Sequence, residues 1–210
     1  MLPGPNLIYK CPNCDNILQN QSLLSGNTFD GRIYSDGKRI YPMLPEFPDL
    51  TKCIKCGHIF WLSKTMEIGS YNWDDENNLP WQNADKAEFL TIDEYFMALV
   101  LYVAKDKSEE FYLRQRIWWA FNDRIRNGND LYNSEEEKTR WESNIKGLIK
   151  ILDPDDVSQL IMIAELNRNL GNFEICLTLI ESLDNPDLDW LKEAFIKNCS
   201  DRNQLVFRLN

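Results

Sequence analysis

The chain has 210 residues, 43% hydrophobic, 12% aromatic and 27% charged, which excludes wholesale disorder and allows one large domain or two small ones. Its formal net charge of -10 argues against coating nucleic acid or an anionic membrane through bulk charge. The longest apolar run, Tyr95 to Ala104, has ten residues against the roughly 18 that span a bilayer. Met1 to Asn6 lacks the basic and apolar parts of a signal peptide, so the expectation is a cytoplasmic protein with no membrane partner.

Residues 1–64 carry a net charge of +2 and residues 65–210 one of −12. The first segment reads as short strands and turns. Leu7 to Lys10 is a strand leading into Cys11-Pro12-Asn13-Cys14. Arg32–Ser35 and Lys38–Tyr41 flank Asp36-Gly37, which predicts a two-residue hairpin turn with positive φ at both positions. Three prolines between Tyr41 and Pro48 forbid helix or central strand and predict an ordered surface loop. Cys53-Ile54-Lys55-Cys56 follows, and Ile59 to Leu62 resumes as a strand.

Two Cys-x-x-Cys pairs separated by 38 residues are the strongest chemical signal. Two thiolates from each tight turn complete a tetrahedral shell with no open position, so the ion they hold is structural. Cys11, Cys14, Cys53 and Cys56 are the expected metal ligands. Zinc is the expected ion, with iron in an electron carrier or a redox role of the thiols as alternatives. His58, the one histidine, is read as a neighbour of the site or a surface residue. Residues 7–62 resemble zinc ribbons and the similar rubredoxins, whose knuckles share the Cys-Pro-x-Cys pattern. Two features depart from them: Asp15 stands where glycine is frequent, and the spacer holds a whole proline loop. Lys52, Lys55, Arg32, Lys38 and Arg39, with Tyr34, Tyr41, Phe60 and Trp61, form a candidate nucleic-acid face.

Residues 65–90 read as a partly ordered linker, because Trp73 and Trp81 bracket the polar Asp74–Asn78 and should dock on a neighbour. From Thr91 the pattern is helical. Thr91-Ile92-Asp93-Glu94 is a capping box opening a helix to about Lys105, apolar nearly all round and therefore expected to be central. A second helix runs from Ser108 to Asn127-Gly128. Ser134–Glu137 is another capping box, opening a helix to about Leu152. Asp153-Pro154 is expected to cap a helix to Leu170, followed by helices from Phe173 to Leu183 and from Leu188 to Cys199. The expected architecture is α+β: a zinc-ribbon-like segment (1–64), the linker (65–90) and an acidic, antiparallel all-α bundle (91–210) on which the ribbon packs.

Residues 157–183 resemble a tetratricopeptide-type hairpin through Leu160, Ile163, Ala164, Leu170-Gly171-Asn172-Phe173, Cys176 and Ile180. Asn167 departs from the motif where an aromatic is usual. The whole layout resembles uncharacterised bacterial proteins that join a zinc ribbon to such helices. In the helix 109–126, Arg114 and Arg124 fall on the arc of Leu113, Ile117, Trp118, Ala120, Phe121 and Ile125. They are either ion-paired or the lining of an anion site. No nucleophile–base constellation, Walker loop or dinucleotide fingerprint is present. The reading is a non-catalytic protein-interaction module with a structural zinc site. Nucleic-acid binding through the ribbon, or an enzyme or anion-binding protein using Arg114 and Arg124, are the alternatives.

Overall fold

A computed structural model describes residues 1–72, 81 and 83–209, so Trp73 and Asp74–Asn78 lie outside the described residues. The protein is α+β. Its strands are β1 (Leu2–Pro3), β2 (Asn6–Lys10), β3 (Ile17–Asn20), β4 (Leu23–Ser25), β5 (Arg32–Ile33) and β6 (Arg39–Ile40). They continue with β7 (Leu50–Lys52), β8 (Ile59–Trp61), β9 (Glu67–Tyr71) and β10 (Asp85–Lys86). The helices are α1 (Ile92–Val100), α2 (Lys107–Arg126), α3 (Glu135–Ile151), α4 (Val157–Asn169), α5 (Phe173–Glu181) and α6 (Asp189–Ser200). No helix among the described residues is long and apolar enough to cross a membrane. The chain forms two compact units, Met1–Gly31 with Ile40–Val103, and Arg32–Arg39 with Ala104–Asn210.

The first unit is built on a four-stranded sheet of order β10-β3-β2-β9 and a separate hairpin, β7–β8. In the β2–β3 pair Lys10 lies opposite Ile17, and in β7–β8 Lys52 lies opposite Ile59. Each register therefore leaves one Cys-x-x-Cys segment at a hairpin tip. Tyr9, Cys11, Leu18, Cys53, Phe60 and Leu62 form the core beneath those tips. Trp81 packs on β9, where a Cβ on Gly69 would meet its indole at 2.4 Å.

Helix α1 belongs to this unit. Its capping box forms: the Thr91 hydroxyl accepts from Glu94 N–H at 3.3 Å, and the Glu94 carboxylate accepts from Thr91 N–H at 2.8 Å. The helix is shorter and less enclosed than its composition suggested. It ends at Val100 in a Schellman motif, with Val103 N–H donating to Ala98 O and Tyr102 N–H to Leu99 O. Tyr95 and Ala98 are buried, while Met97, Val100, Leu101 and Tyr102 lie in solvent. A helix of nine residues resting on one side cannot bury a run that is apolar all round.

The second unit holds α2 to α6. Helix α2 buries Leu113, Ile117, Trp118 and Phe121, as its periodicity required. Burying a large apolar side chain of this kind contributes about 1.5–3 kcal/mol. Helix α4 starts at Val157, one turn later than expected, because Asp156 caps it by accepting from Gln159 N–H at 2.9 Å. It buries six consecutive residues, Ala164 to Asn169; more than a full turn is covered, so this is the enclosed helix. Ala164, Cys176, Ile180, Leu191, Phe195 and Cys199 form the core it shares with α5 and α6.

Residues 32–39 belong with these helices through polar contacts. The hairpin turn is longer than expected. Tyr34 N–H pairs with Lys38 O, so Ser35-Asp36-Gly37 forms a three-residue loop, and of its residues only Gly37 has positive φ. The wider loop turns Ser35 and Asp36 into the protein. The Ser35 hydroxyl donates to Glu165 at 2.7 Å, and Arg168 donates to both Glu165 oxygens at 2.8 and 2.6 Å. The Asp36 carboxylate accepts from Asn122 at 2.8 Å and forms an ion pair with Arg126. The C-terminal segment closes over them: Ser35 N–H donates to Phe207 O and Leu209 N–H to Ile33 O. Burial pushes the Glu165 carboxyl above its ordinary value, opposed by Arg168 and Ser35.

Asp36→Ala leaves the buried Arg126 with Asp123 alone, at 2.7 Å, and removes the acceptor of Asn122. The cost should lie between that of an exposed pair and the roughly 3–5 kcal/mol for breaking a buried one, about 2–3 kcal/mol. Urea unfolding should show that loss. A drop below roughly 1 kcal/mol, the range of exposed pairs, would mean that the hairpin does not depend on this carboxylate.

Candidate metal centre

The two hairpin tips have the same backbone design. In the first, Cys11 N–H donates to Asn16 O at 2.8 Å and Asp15 N–H to Cys11 O at 3.0 Å. In the second, Cys53 N–H donates to His58 O at 2.9 Å and Gly57 N–H to Cys53 O at 2.8 Å. Both turns close through a left-handed residue, Asp15 at φ 57° and Gly57 at φ 74°. Asp15 thus takes the glycine position. Aspartate tolerates that region better than most residues because its short polar side chain can bond locally.

The tips bring the Sγ atoms of Cys11, Cys14, Cys53 and Cys56 within 4.8 Å of one another. Cys11 and Cys56 are 3.6 Å apart, and Cys14 and Cys53 are 3.7 Å apart. Four sulfurs arranged tetrahedrally about 2.3 Å from a common centre have edges of about 3.8 Å, so the cluster fits a metal shell. Burial pushes the Cys11 thiol up to about 12. The Asn13 side chain and the His58 backbone draw Cys56 down to about 6. Four thiolates so close together repel one another, and a cation between them supplies the charge that lets all four persist.

His58 is exposed and stacks on Phe60 at 6.1 Å between ring centroids; the ligand group among the described residues is the four cysteines. A cleft of about 670 Å³ opens elsewhere in this unit, lined by Asn6, Gln21, Phe47, Lys86 and Phe89 among others. None of the four cysteines lines it, so the sulfur cluster is not the floor of that cleft.

The basic and aromatic residues of the candidate nucleic-acid face divide between the units. Tyr41, Lys52, Lys55, Phe60 and Trp61 lie in the first, and Arg32, Tyr34, Lys38 and Arg39 in the second. Phe60 and Trp61 are buried. Lys52 pairs with Glu94, and Lys38 with Asp123 at 2.6 Å. The Tyr34 ring lies under the Arg126 guanidinium at 4.5 Å.

Arg114 lies against Gly147 of α3, where an added Cβ would meet its guanidinium at 2.4 Å, and pairs with Glu110 at 2.7 Å. Arg124 donates to both oxygens of Glu137 at 2.7 and 3.0 Å, and Asn133 N–H donates to the same carboxylate at 2.7 Å. These contacts, Arg124 foremost, hold Glu137 down to about 2. They also take Glu137 away from the expected capping box: Ser134 still accepts from Glu137 N–H at 3.1 Å, but the reciprocal bond goes to Arg124 instead. The buried charges at Asp36, Arg126, Glu165 and Arg168 were not legible beforehand, since a Glu-x-x-Arg pair on a helix reads as a solvated face.

Because Glu137 titrates lower in the folded chain, its contribution is complete above the ordinary value of 4.5 and disappears as pH falls towards 2. Both partners are about a quarter exposed, so Arg124→Ala should cost about 1 kcal/mol near neutral pH. Urea midpoints for the two proteins should converge as the pH is lowered through that window; a difference independent of pH would exclude the ion pair as its source. A Cβ at Gly57 meets nothing within 4 Å, so Gly57→Ala should cost about 1–2 kcal/mol through its left-handed backbone alone. Asp15→Gly should be neutral or stabilising by up to about 1 kcal/mol; thermal melts of the metal-loaded protein would reveal any opposite order.

Compared with family models, with curated proteins and with solved structures, the chain gives no significant match.

Proposed function

We propose that this chain is a cytoplasmic, non-catalytic protein-interaction module whose first unit is organised by a structural zinc ion on Cys11, Cys14, Cys53 and Cys56. The observation that carries the reading is the cluster of four sulfurs within 4.8 Å, supplied by two matching hairpin tips. Four protein donors fill a tetrahedral shell and leave no position for substrate or water. Zinc is favoured over ferrous iron because divalent affinity for a common site rises along the first row. When bound, the ion supplies positive charge and four strong bonds between segments distant in sequence. The residues themselves orient the sulfurs through the Cys11 and Cys53 turns. Reduced thiolates as ligands fit a reducing compartment. Arg114 and Arg124 engage Glu110 and Glu137, which supports a structural role for both. The α4–α5 hairpin is tetratricopeptide-like in its small residues, Ala164 and Cys176, both fully buried, and offers a helical surface rather than a reaction centre.

Metal analysis of protein purified from unsupplemented medium should find one zinc per chain. Chelation, or Cys11→Ser, should remove it together with hydrogen-exchange protection in β2, β3, β7 and β8, while α3 to α6 stay protected. Iron in place of zinc, or metal-free thiols that cycle reversibly between oxidised and reduced forms, would overturn the reading in favour of redox chemistry.

A further inference from the structure

The cleft of about 670 Å³ in the first unit has the size of a preformed ligand site. Four segments wall it: the chain around β1, the β3–β4 segment, residues 45–48 of the proline loop and residues 86–89. Bonds from side chains to backbone fix these walls. Ser22 donates to Pro5 O at 2.6 Å and Asn20 to Pro48 O at 3.0 Å. The Thr51 hydroxyl donates to Glu88 O at 3.0 Å and accepts from Glu88 N–H at 3.2 Å. Phe47 and Phe89 supply apolar surface. Asn6, Gln21, Lys86 and Glu88 also line the cleft, and their side chains make no hydrogen bond or ion pair among the described residues. The backbone of Lys86 is open as well. Strand β10 is the edge of its sheet. Ala87 N–H donates to Gln19 O at 2.8 Å, so Asp85 and Ala87 turn towards β3 and Lys86 turns the other way. Glu88, the next residue turned outward, is held by Thr51, whereas Lys86 N–H and C=O bond to no described residue.

We propose that this cleft binds an extended peptide segment of a partner protein, whose main chain pairs with Lys86 and whose side chains include an acid and a base two residues apart. A carboxamide carries a C=O acceptor and N–H donors, as a peptide bond does. The two open carboxamides, Asn6 and Gln21, therefore match the polar groups that every main chain repeats, and the open edge at Lys86 offers the same pairing from the backbone. Lys86 and Glu88 carry opposite charges two residues apart. An extended ligand presents alternate side chains on one face at about the same 6.6 Å repeat, so an acid and a base so spaced meet both. Phe47 and Phe89 receive the apolar side chains between and beyond them. A phosphate-bearing strand would instead meet the carboxylates of Glu88 and Glu46, which also lines the cleft. The proposal rests on the interaction reading and gives its partner a chemistry. The contact is small, so binding is weak and reversible.

Selection of a displayed library of random linear peptides on the full chain tests the proposal. Enriched sequences should carry an acid and a base two residues apart among apolar neighbours. One of them, synthesised with acetyl and amide ends, should bind in titration calorimetry and slow hydrogen exchange at the Lys86 amide. Gln21→Ala should weaken binding several-fold, as the loss of about one hydrogen bond requires. Lys86→Glu should weaken it roughly tenfold, and the peptide with its acid replaced by lysine should regain that loss on this variant. Both variants should keep the parent melting temperature, since both side chains lie in solvent. No enrichment, a peptide indifferent to both substitutions, or binding of unblocked dipeptides in place of the blocked peptide would overturn the site and leave the interaction reading to the helical surface. Cleavage of the bound peptide, read by mass spectrometry, would overturn the non-catalytic reading and leave the site standing.

Discussion

Four sulfur atoms held within 4.8 Å of one another are the constraint around which the first unit is arranged. Cys14 and Cys53 stand 39 positions apart, and their sulfurs meet only if two hairpins approach tip to tip. The β2–β3 register and the β7–β8 register each leave the cysteines at the turn. Two amides of each turn bond back within the turn, which fixes the backbone that carries the sulfurs. A small sheet has little apolar surface to bury, and a metal shell is the usual physical substitute for a larger core.

From the second hairpin the constraint passes to α1. Lys52 precedes Cys53 and pairs with Glu94, whose other oxygen completes the Thr91 capping box. Trp61, at the far end of β8, donates to Val103 O at 3.5 Å, just past the helix. The hairpin that carries half of the sulfurs therefore holds both ends of α1. A helix of nine residues is too short to persist by propensity alone, so these ties and the buried Tyr95 and Ala98 keep it in place.

The second unit meets a different constraint. Its enclosed helix, α4, carries Glu165, Asn167, Arg168 and Asn169 as well as apolar residues, and all are buried. Charges removed from water must be paired: Glu165 and Arg168 pair with each other, Ser35 and Asn169 donate to Glu165, the carbonyls of Asn203 and Leu205 accept from Arg168, and that of Gln204 accepts from Asn169. Trp118 donates to Asn169 at 2.9 Å, which ties α2 into the same set. A buried network of this kind often adds less net stability than an apolar core of equal volume, and each of its members depends on the others for its hydrogen-bond partners.

Much of this was written in local sequence. The two Cys-x-x-Cys pairs, the Thr91–Glu94 box, the glycine ends of α2 and α4 and the buried stripe of α2 each depend on spacing within one turn or one helix. Those rules act through the nearest neighbours of a residue and need no knowledge of the rest of the chain. The sulfur cluster itself, the three-residue loop at Ser35-Asp36-Gly37 and the burial of Glu165 and Arg168 depend on which segments meet. The apolar run from Tyr95 to Ala104 shows the difference most directly. Its composition specified a helix start and hydrophobic residues, but whether those residues faced protein or solvent depended on how many sides of the helix found a partner. Spacing along a chain determines which faces exist; only long-range packing determines what covers them, because burial is a property of surfaces brought together from distant positions.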